Sequence, residues 1–239
     1  MKKIKNPLIR RIPKELIGDW KKYLVVFLFL VLTIGFVSGM YVANESMITS
    51  ANEGVIKYKQ EDGHFELKKQ ADATLLSAIE TGEKADFKAT KTTLYENFFR
   101  NEEEDYNNDG KKDGTIRVFA KTKDINLACM LQGSFPQKAD EIAIDRMHAD
   151  NVGIKVGDTV TVSGETYKVV GLLAYVNYST LHEKTTDLMF DALKFDVAMV
   201  TQDGFDRLHK SIHYTYAWKY ETEPADEAGR SEERRVGKE

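Results

Sequence analysis

Residues 23–43, YLVVFLFLVLTIGFVSGMYVA, are the stretch that decides how this chain is organised. The 21 residues carry no charged side chain, and a helix of that length rises about 31 Å at about 1.5 Å per residue. This length matches the hydrocarbon thickness of a bilayer. Because a helix in a water-soluble core needs only one apolar face, a segment that is apolar all round predicts a transmembrane helix.

The charges on the two sides of this segment predict its orientation. Residues 1–22 carry eight Lys and Arg side chains against two acidic ones, whereas the whole chain has a net charge of −4. The remainder is therefore acidic. Basic flanks stay on the cytoplasmic side, where anionic lipids hold them. We expect residues 1–22 in the cytoplasm and everything from residue 44 onward outside.

A cleaved signal peptide is the alternative interpretation of the apolar segment. A signal peptide has a shorter apolar region and small residues at positions −3 and −1 of its cleavage site. The best match here, Tyr41-Val42-Ala43, places a bulky tyrosine at position −3. The sequence therefore favours an uncleaved membrane anchor.

Two further patterns accompany the predicted span. Residues 6–23, NPLIRRIPKELIGDWKKY, have apolar side chains at helical spacing, which predicts an amphipathic segment along the inner leaflet. Within the span, Gly35 and Gly39 form a GxxxG pair, which allows close packing against a partner helix. Because glycine is frequent in membrane helices, such a pair also occurs without a partner.

The composition of the remaining chain predicts a globular domain without a disulfide bond. The 239 residues are 42% hydrophobic and 30% charged, and Cys129 is the only cysteine. Stability outside the membrane must then come from packing or from a bound ion. The acidic exterior argues against nucleic acid as a partner, because nucleic-acid binding requires a basic face.

The apolar pattern from residue 44 onward predicts a mixed α+β domain. The helix of the span is expected to continue through residues 44–59 and as far as Gly63, with further helical segments at 68–80, 146–151, 184–193 and 204–210. Strands are predicted at residues 92–99, 115–121, 125–131, 141–145, 158–162, 165–173, 196–202 and 214–221. Ser163-Gly164 predicts a hairpin whose buried side carries Val160 and Val162.

The loop DYNNDGKKDG, residues 105–114, has two interpretations. Positions 1, 3, 5 and 9 of a calcium-binding loop are occupied by Asp105, Asn107, Asp109 and Asp113, with a glycine at the sharp turn. Position 12, where a bidentate glutamate is expected, holds Ile116. A polar hairpin turn rich in Asn, Asp and Gly explains the same residues and is the favoured interpretation. Calcium is thus a candidate ligand of these four side chains.

The sequence contains no recognisable catalytic motif. Its five histidines are scattered, and only His209 and His213 share an i, i+4 spacing, without a second pair of metal ligands. HExxH, GxSxG and the GxxxxGK[ST] phosphate loop are all missing from it. We therefore predict a protein that is not an enzyme, has no catalytic residue and does not bind ATP through a phosphate loop.

Residues 230–239, RSEERRVGKE, resemble the translated read-through of a sequencing adapter. They have no hydrophobic pattern, and we expect the native gene to continue beyond about residue 229. The predicted organisation is a cytoplasmic segment at 1–22, a transmembrane helix at 23–43, an extracytoplasmic α+β domain at 44–229 and a non-native tail at 230–239.

An ordered set of short motifs runs through residues 133–173, GSFPQKADEIAIDRMHADNVGIKVGDTVTVSGETYKVVGLL. They are a Gly-x-x-Pro connector, a Glu-Ile strand, a short helix containing Ala, a Gly-Asp turn and a hairpin ending in Val-Val-Gly. The residues concerned are Gly133, Pro136, Glu141-Ile142, Ala149, Gly157-Asp158 and Val169-Val170-Gly171. This order resembles the outer domain of FtsX-like, MacB-type permease subunits of ABC transporters, and the succession of basic segment, span and helical extension is similar too.

The resemblance implies a permease subunit in the bacterial plasma membrane, with an outer domain like the MacB-type periplasmic core. In that family further spans follow the outer domain. A separate ATPase subunit binds ATP, so that no cofactor is expected in this chain, and the permease pairs with a second copy or a homologous permease. Motion passes through the spans to the outer domain, which acts on lipoproteins, peptides or drugs, or transmits force to cell-wall hydrolases.

A second class of function stays open from the residues alone. The loop at residues 105–114 motivates a single-span anchored module that captures calcium or another ligand outside the cell. A neighbouring gene for an ATPase subunit would distinguish the two classes.

Overall fold

The computed structural model describes residues 17–81, 92–178, 180–183 and 187–221. The chain divides into two compact units, Met1–Glu53 and Gly54–Glu239. The described residues of the first unit form a helix. The described residues of the second unit form two β-sheets and three short helices.

Helix α1, Trp20–Lys57, contains the apolar segment that was predicted to span a membrane. Its 38 residues include a stretch long and apolar enough to cross a bilayer by length and composition, and none of them is buried. Phe27, Phe29 and Leu32 are 61% to 71% exposed. Since apolar surface in water costs about 25 cal/mol per Å², this exposure favours a lipid environment. Most of the amphipathic segment predicted at 6–23 lies outside the described residues.

Helix α1 ends in a hydrogen-bonded cap and does not continue to Gly63, so that part of the prediction is wrong. The amide of Gln60 donates to the Val55 carbonyl (3.0 Å), and the amide of Lys59 donates to the Ile56 carbonyl (3.3 Å). These two bonds form a Schellman motif. Lys59 adopts a φ of 50° at the position where glycine usually stands. The sequence did not predict this helix end because a lysine stands where a glycine usually marks it.

A small antiparallel sheet follows the helix. Its strands are β1 Gly63–Leu67, β2 Thr92–Glu96 and β10 Tyr214–Tyr220, in the order β1-β10-β2. Helix α2, Ala73–Thr81, lies beside β2 and begins later than the predicted residue 68. The later start follows from Asp72, whose side chain accepts a hydrogen bond from the Leu75 amide (2.8 Å) and caps the helix there.

A larger sheet of seven strands forms the main body of the second unit. In chain order its strands are β3 Phe99–Asp105, β4 Gly114–Ala120, β5 Ala128–Gly133, β6 Glu141–Asp145, β7 Thr159–Val162, β8 Glu165–Tyr175 and β9 Phe195–Val200. The spatial order is β5-β8-β6-β9-β4-β3-β7, and β7 also pairs with β8. All of these strands except β5 therefore close into a ring. Two short helices, α3 Arg146–Val152 and α4 Gln202–Asp206, complete the unit.

The strands of the ring have a hydrophobic cluster on each face. The first cluster includes the fully buried Ile116, Val118, Ile144, Val160 and Val162. The second includes Phe119, Leu173, Phe195 and Val197. Neighbouring residues such as Val118 and Phe119 fall into different clusters because successive side chains of a strand point to opposite faces.

The predicted α+β class is confirmed, together with most of its strands. The hairpin at Ser163-Gly164 joins β7 to β8. Val160 and Val162 are buried, while Thr159 is exposed, as the alternation predicted. The short helix predicted at 146–151 is α3, which ends at Gly153 with a φ of 84°.

Two other predictions are wrong. No helix forms in the described residues 187–193, where a helix over 184–193 was predicted. Asp191 makes a turn there instead, because its carboxylate accepts from the Leu193 amide (3.0 Å) and its carbonyl from the Lys194 amide (3.1 Å). The strand predicted at 125–131 begins only at Ala128, because Asn126 adopts a φ of 47° and leaves the extended conformation.

Candidate functional site

Residues 58–62, which follow helix α1, are held at two places within the unit Gly54–Glu239. The first is the segment of residues 123–129, which is a loop followed by the first two residues of β5, and the second is strand β10. These three segments together are named the helix joint. The joint fixes the last turn of α1, which belongs to the same unit, to both sheets.

Asn126 is at the centre of the first contact. It is 1% exposed, and its backbone amide donates to the Lys59 carbonyl (3.0 Å). Its side-chain oxygen accepts from the Glu61 amide (3.0 Å), and its side-chain nitrogen donates to the Glu61 carboxylate (2.5 Å). Asparagine suits this position because it tolerates a positive φ better than most residues and offers both a donor and an acceptor.

Two further bonds strengthen the contact with this loop. The Leu127 amide donates to the Tyr58 carbonyl (2.8 Å), and the Tyr58 hydroxyl donates to the sulfur of Cys129 (2.9 Å). The ammonium group of Lys59 lies 3.8 Å from the Asp124 carboxylate, but both groups are largely in solvent and this pair contributes little.

Glu61 links the helix joint to strand β1. Its side chain is 9% exposed, and its Oε1 lies 2.6 Å from Nδ1 of His64. The hydrogen bond to Glu61 raises the pKa of His64, although partial burial opposes the shift. Protonated His64 therefore pairs with the carboxylate that also binds Asn126.

Strand β10 makes the second contact of the joint. Lys219 donates from Nζ to the Gln60 carbonyl (2.7 Å), and the Asp62 amide donates to the Trp218 carbonyl (3.0 Å). The Asp62 carboxylate accepts in turn from the Tyr220 amide (2.9 Å). Gly63 packs so closely on the Trp218 indole that a Cβ would lie 2.5 Å from the ring, which explains why glycine stands there.

A second group of polar side chains is buried in the large sheet. Glu104 on β3, His148 on α3 and Asp196 on β9 are fully buried, and their ligating atoms all lie within 4.8 Å of one another. Nε2 of His148 is 3.3 Å from Oε1 of Glu104, and Nδ1 is 2.7 Å from the Ala192 carbonyl. Oδ1 of Asp196 accepts from its neighbouring amides, those of Asp145 and Val197.

Burial governs the protonation of this group. It raises the pKa of Asp196 well above the usual range of an aspartate. Burial lowers the pKa of His148, but the negative charges of Asp196 and Glu104 outweigh it and raise that pKa to about 9. In the absence of another cation, the group therefore holds protons at neutral pH.

These three residues were not predicted from the sequence. Glu104 lies in FRNEEED, which is polar at every position after Phe99, and His148 is one of five scattered histidines. The available signal is the i, i+2 spacing of Glu102 and Glu104, which places both on one face once a strand is assigned. Their convergence with Asp196 depends on strand pairing that no local pattern encodes.

The four calcium candidates lie together in the hairpin loop between β3 and β4. Each side chain accepts hydrogen bonds within the loop: Asp105 from the amides of Asp109 and Gly110, Asn107 from Asp109, Asp109 from Lys111, and Asp113 from Tyr106 and Asn107. Such bonds are typical of a polar turn. Ile116, at the twelfth position, is buried in the sheet. Calcium binding stays a prediction.

The remaining candidates lie apart from one another. Gly35 and Gly39 are one turn apart on α1, and a Cβ at either would meet no atom within 4 Å. Packing of a partner helix against them stays a prediction. His209 and His213 both follow the end of α4, and Nδ1 of His213 lies 2.7 Å from the Glu66 carboxylate.

Comparison with known proteins gives structural similarities only. No family model and no curated protein matches the chain. The periplasmic region of MacB from Actinobacillus actinomycetemcomitans has a TM-score of 0.37 at 8% identity and covers 66% of this chain and 71% of that chain. The extracellular domain of the ABC-type transporter YknZ from Gram-positive bacteria has a TM-score of 0.37 at 12% identity and covers 74% and 96%.

The similarity is thus to the periplasmic region of MacB and to the extracellular domain of YknZ, and it concerns the fold alone. A TM-score below 0.5 at such low identity does not by itself define a function. The function has to be inferred from the chain's own residues.

Proposed function

We propose that this chain is part of a permease subunit of an ABC transporter, comprising a transmembrane helix and an extracytoplasmic domain. Residues 1–22 lie in the cytoplasm, and the domain from residue 44 onward lies outside. A separate ATPase subunit binds ATP, and a second permease copy or a homologous permease pairs with this one. The outer domain moves to export or extract a lipoprotein, peptide or drug.

The continuity of helix α1 with the helix joint is the observation that carries this proposal. The helix runs from Trp20 to Lys57 without a proline, and the residues that follow it are immediately hydrogen-bonded to two sheets. A module that is only tethered to a membrane needs no such attachment, because a flexible linker holds it equally well. A subunit that transmits motion does need it.

The hydrogen bonds of the helix joint resist separation of residues 58–62 from the segment 123–129 and from strand β10. Each contributes on the order of 1 kcal/mol, and leaving the buried Glu61 carboxylate without Asn126 costs more. A displacement of the last turn of α1 therefore moves the segment at 123–129, whose last two residues belong to β5 at the edge of the large sheet. It also moves β10, the central strand of the small sheet.

Reconstitution of the full-length permease with the ATPase encoded beside its gene tests the proposal. We expect the two proteins to co-purify, and we expect ATP with vanadate to change the distance between spin labels on Asp150→Cys in two permease copies. Asp150 is exposed on α3, and Cys129→Ser removes the native thiol. Asn126→Gly, which removes the side-chain bonds of the joint, should at least halve that change while the ATPase still binds.

Two results would contradict the proposal. If no ATPase co-purifies, or if the spin-label distance does not respond to ATP, the chain is better described as a single-span binding module.

The orientation is tested separately with a membrane-impermeant maleimide on intact cells. Glu103→Cys should react there, whereas Lys3→Cys should react only after permeabilisation, and the reverse order would refute the assigned orientation.

A further inference from the structure

We infer that Glu104, His148 and Asp196 form a binding site for one divalent transition-metal ion, with zinc as the ion that suits the ligands best. This inference concerns the folded outer domain and does not depend on the transport proposal. Three elements far apart in the sequence, β3, α3 and β9, each contribute one ligand.

The register of the sheet places two of the ligands on one face. Glu104 pairs with Gly114 across β3 and β4, and Ile116 pairs with Asp196 across β4 and β9. Paired residues, and residues two apart on a strand, share a face of a sheet. Glu104 and Asp196 therefore project on the face that carries Ile116, and α3 brings His148 to them.

The ligating atoms face one another and little else. Nε2 of His148 and Oε1 of Glu104 contact each other at 3.3 Å, and among the described residues Oε2 of Glu104 and Oδ2 of Asp196 are buried without a hydrogen bond. Glu102, equally buried on the same strand, is satisfied in full, because it accepts from the Ser163 hydroxyl (2.5 Å) and the Lys210 amide (3.1 Å). One imidazole cannot satisfy two buried carboxylates, and a buried carboxylate oxygen without a partner is costly, so the convergence of these atoms points to a cation between them.

The orientation of His148 is that of a metal ligand. Its Nδ1 lies 2.7 Å from the Ala192 carbonyl and donates its proton there, so a metal ion that displaces the Nε2 proton finds the Nε2 lone pair directed at the space between the two carboxylates. A backbone carbonyl on the far nitrogen is the usual support of a histidine that binds a metal. The ring of Tyr106 packs edge-on against the imidazole and restricts its rotation.

Charge and distance both fit a divalent ion. Two ionised carboxylates balance its charge, and the imidazole supplies a third ligand. Ligands about 2.1 Å from a tetrahedral zinc lie about 3.4 Å apart. The Glu104–His148 pair already has this spacing at 3.3 Å, and a small movement of the Asp196 side chain from within 4.8 Å completes it. A mixed imidazole and carboxylate set suits zinc better than calcium or magnesium, which prefer oxygen alone.

An ion at this position would cross-link the large sheet to α3. With Cys129 as the only cysteine, the chain forms no internal disulfide, and a metal supplies the same kind of restraint. Because all three ligands are fully buried, we expect the ion to bind during folding and to exchange slowly afterwards.

Metal analysis and thermal unfolding of the full chain in detergent test this inference. Protein from zinc-supplemented cells should retain about one zinc per chain after dialysis against EDTA at neutral pH. Protein produced without zinc should gain about 5 to 10 °C in Tm when refolded with zinc at about a hundredfold excess over its Kd.

Single substitutions locate the ion. Glu104→Gln and His148→Gln should abolish both the retained zinc and the gain in Tm. Glu104→Gln also removes a buried negative charge, so we expect this variant to fold without metal. The control is Glu103→Gln on the same strand, whose side chain is half exposed and which should retain zinc like the wild type.

Two outcomes would overturn the inference. Zinc retained by Glu104→Gln at the wild-type level would place the ion elsewhere, on histidines such as His64 or His213. A wild-type protein that neither retains zinc nor gains stability from it would show that protons alone balance the charge of the three side chains.

Discussion

The side-chain amide of Asn126 lies 2.5 Å from the carboxylate of Glu61, and within the unit Gly54–Glu239 this contact holds the residues that follow helix α1 against the segment before β5. Both groups are almost completely shielded from water. The pair joins a loop to a helix terminus, two segments whose backbone groups lack the regular partners of a sheet or helix interior. Loss of the Asn126 side chain would leave the buried Glu61 carboxylate with one hydrogen-bond partner fewer, which lowers the stability of the fold.

Asn126→Ala is expected to destabilise the protein by about 3 kcal/mol, because it removes two side-chain hydrogen bonds and forces alanine into a positive φ. Tm should fall by about 6 to 12 °C. Asn126→Gly loses the same bonds without the backbone strain, so its loss should be smaller. Thermal unfolding measures both, and equal values for alanine and glycine would show that the left-handed backbone contributes nothing.

Lys59→Gly is expected to stabilise the end of α1 by about 0.5 to 1 kcal/mol, because glycine adopts the positive φ of the Schellman cap without strain. Lys59→Val should cost more than 1 kcal/mol, because a β-branched side chain is poorly accommodated there. Chemical denaturation of the two variants compares them directly. A loss of similar size in both would mean that the lysine side chain, and not its backbone, matters.

The stability of the protein should depend on pH through His64. Its pKa is raised above 6.5 in the folded state by Glu61, so this pair stabilises the fold below about pH 6.5 and ceases to do so as the pH rises through the folded value. His64→Gln should therefore lower Tm at pH 6 and have little effect at pH 9. The effect is a few tenths of a kcal/mol, since the imidazole is half exposed. An unchanged difference between the two pH values would exclude the proton linkage.

Isothermal titration of the full chain with calcium tests the loop at residues 105–114. We expect no heat at millimolar calcium, because the carboxylates of Asp105 and Asp113 already accept loop amides and no glutamate stands at position 12. Heat that disappears in Asp109→Asn would instead establish the calcium site. Lys112→Gln, in the same loop but without a candidate ligand, is the control.

Gly35→Ile and Gly39→Ile are expected to weaken association of the helix with a second copy, because bulky side chains would fill the space beside them. Energy transfer between labelled chains in proteoliposomes should fall by at least half. Val37→Ile, on the opposite side of the helix, should have no effect. Unchanged association in both glycine variants would show that the GxxxG pair only reflects the composition of membrane helices.

Local chemistry made much of the fold predictable from the sequence. The charge-free segment at 23–43 predicted the apolar part of α1 because length and hydropathy suffice for that inference. The turn at Ser163-Gly164 predicted the β7–β8 hairpin, since two-residue turns impose pairing on their flanking strands. Asp145 and Gly153 at the two ends of α3 are ordinary cap residues, and the short helix between them was predicted.

The non-local features could not be predicted in this way. Closure of the ring requires β3 to pair with β7, through Glu104 with Val162 and Asp105 with Thr161, and no local pattern encodes that register. The buried group of Glu104, His148 and Asp196 depends on the same closure. Asn126 was assigned to a strand because its neighbours are apolar, and only the tertiary contact with Glu61 explains its left-handed backbone.

The contact between Tyr58 and Cys129 in the helix joint can be followed through the reactivity of the cysteine thiol. The chain's single sulfhydryl is already the acceptor of the Tyr58 hydroxyl, so no engineered cysteine is needed to follow that contact. Its alkylation rate should record how often the contact opens. A rise in that rate while the proposed ATPase partner hydrolyses ATP would show that this attachment opens transiently during the cycle.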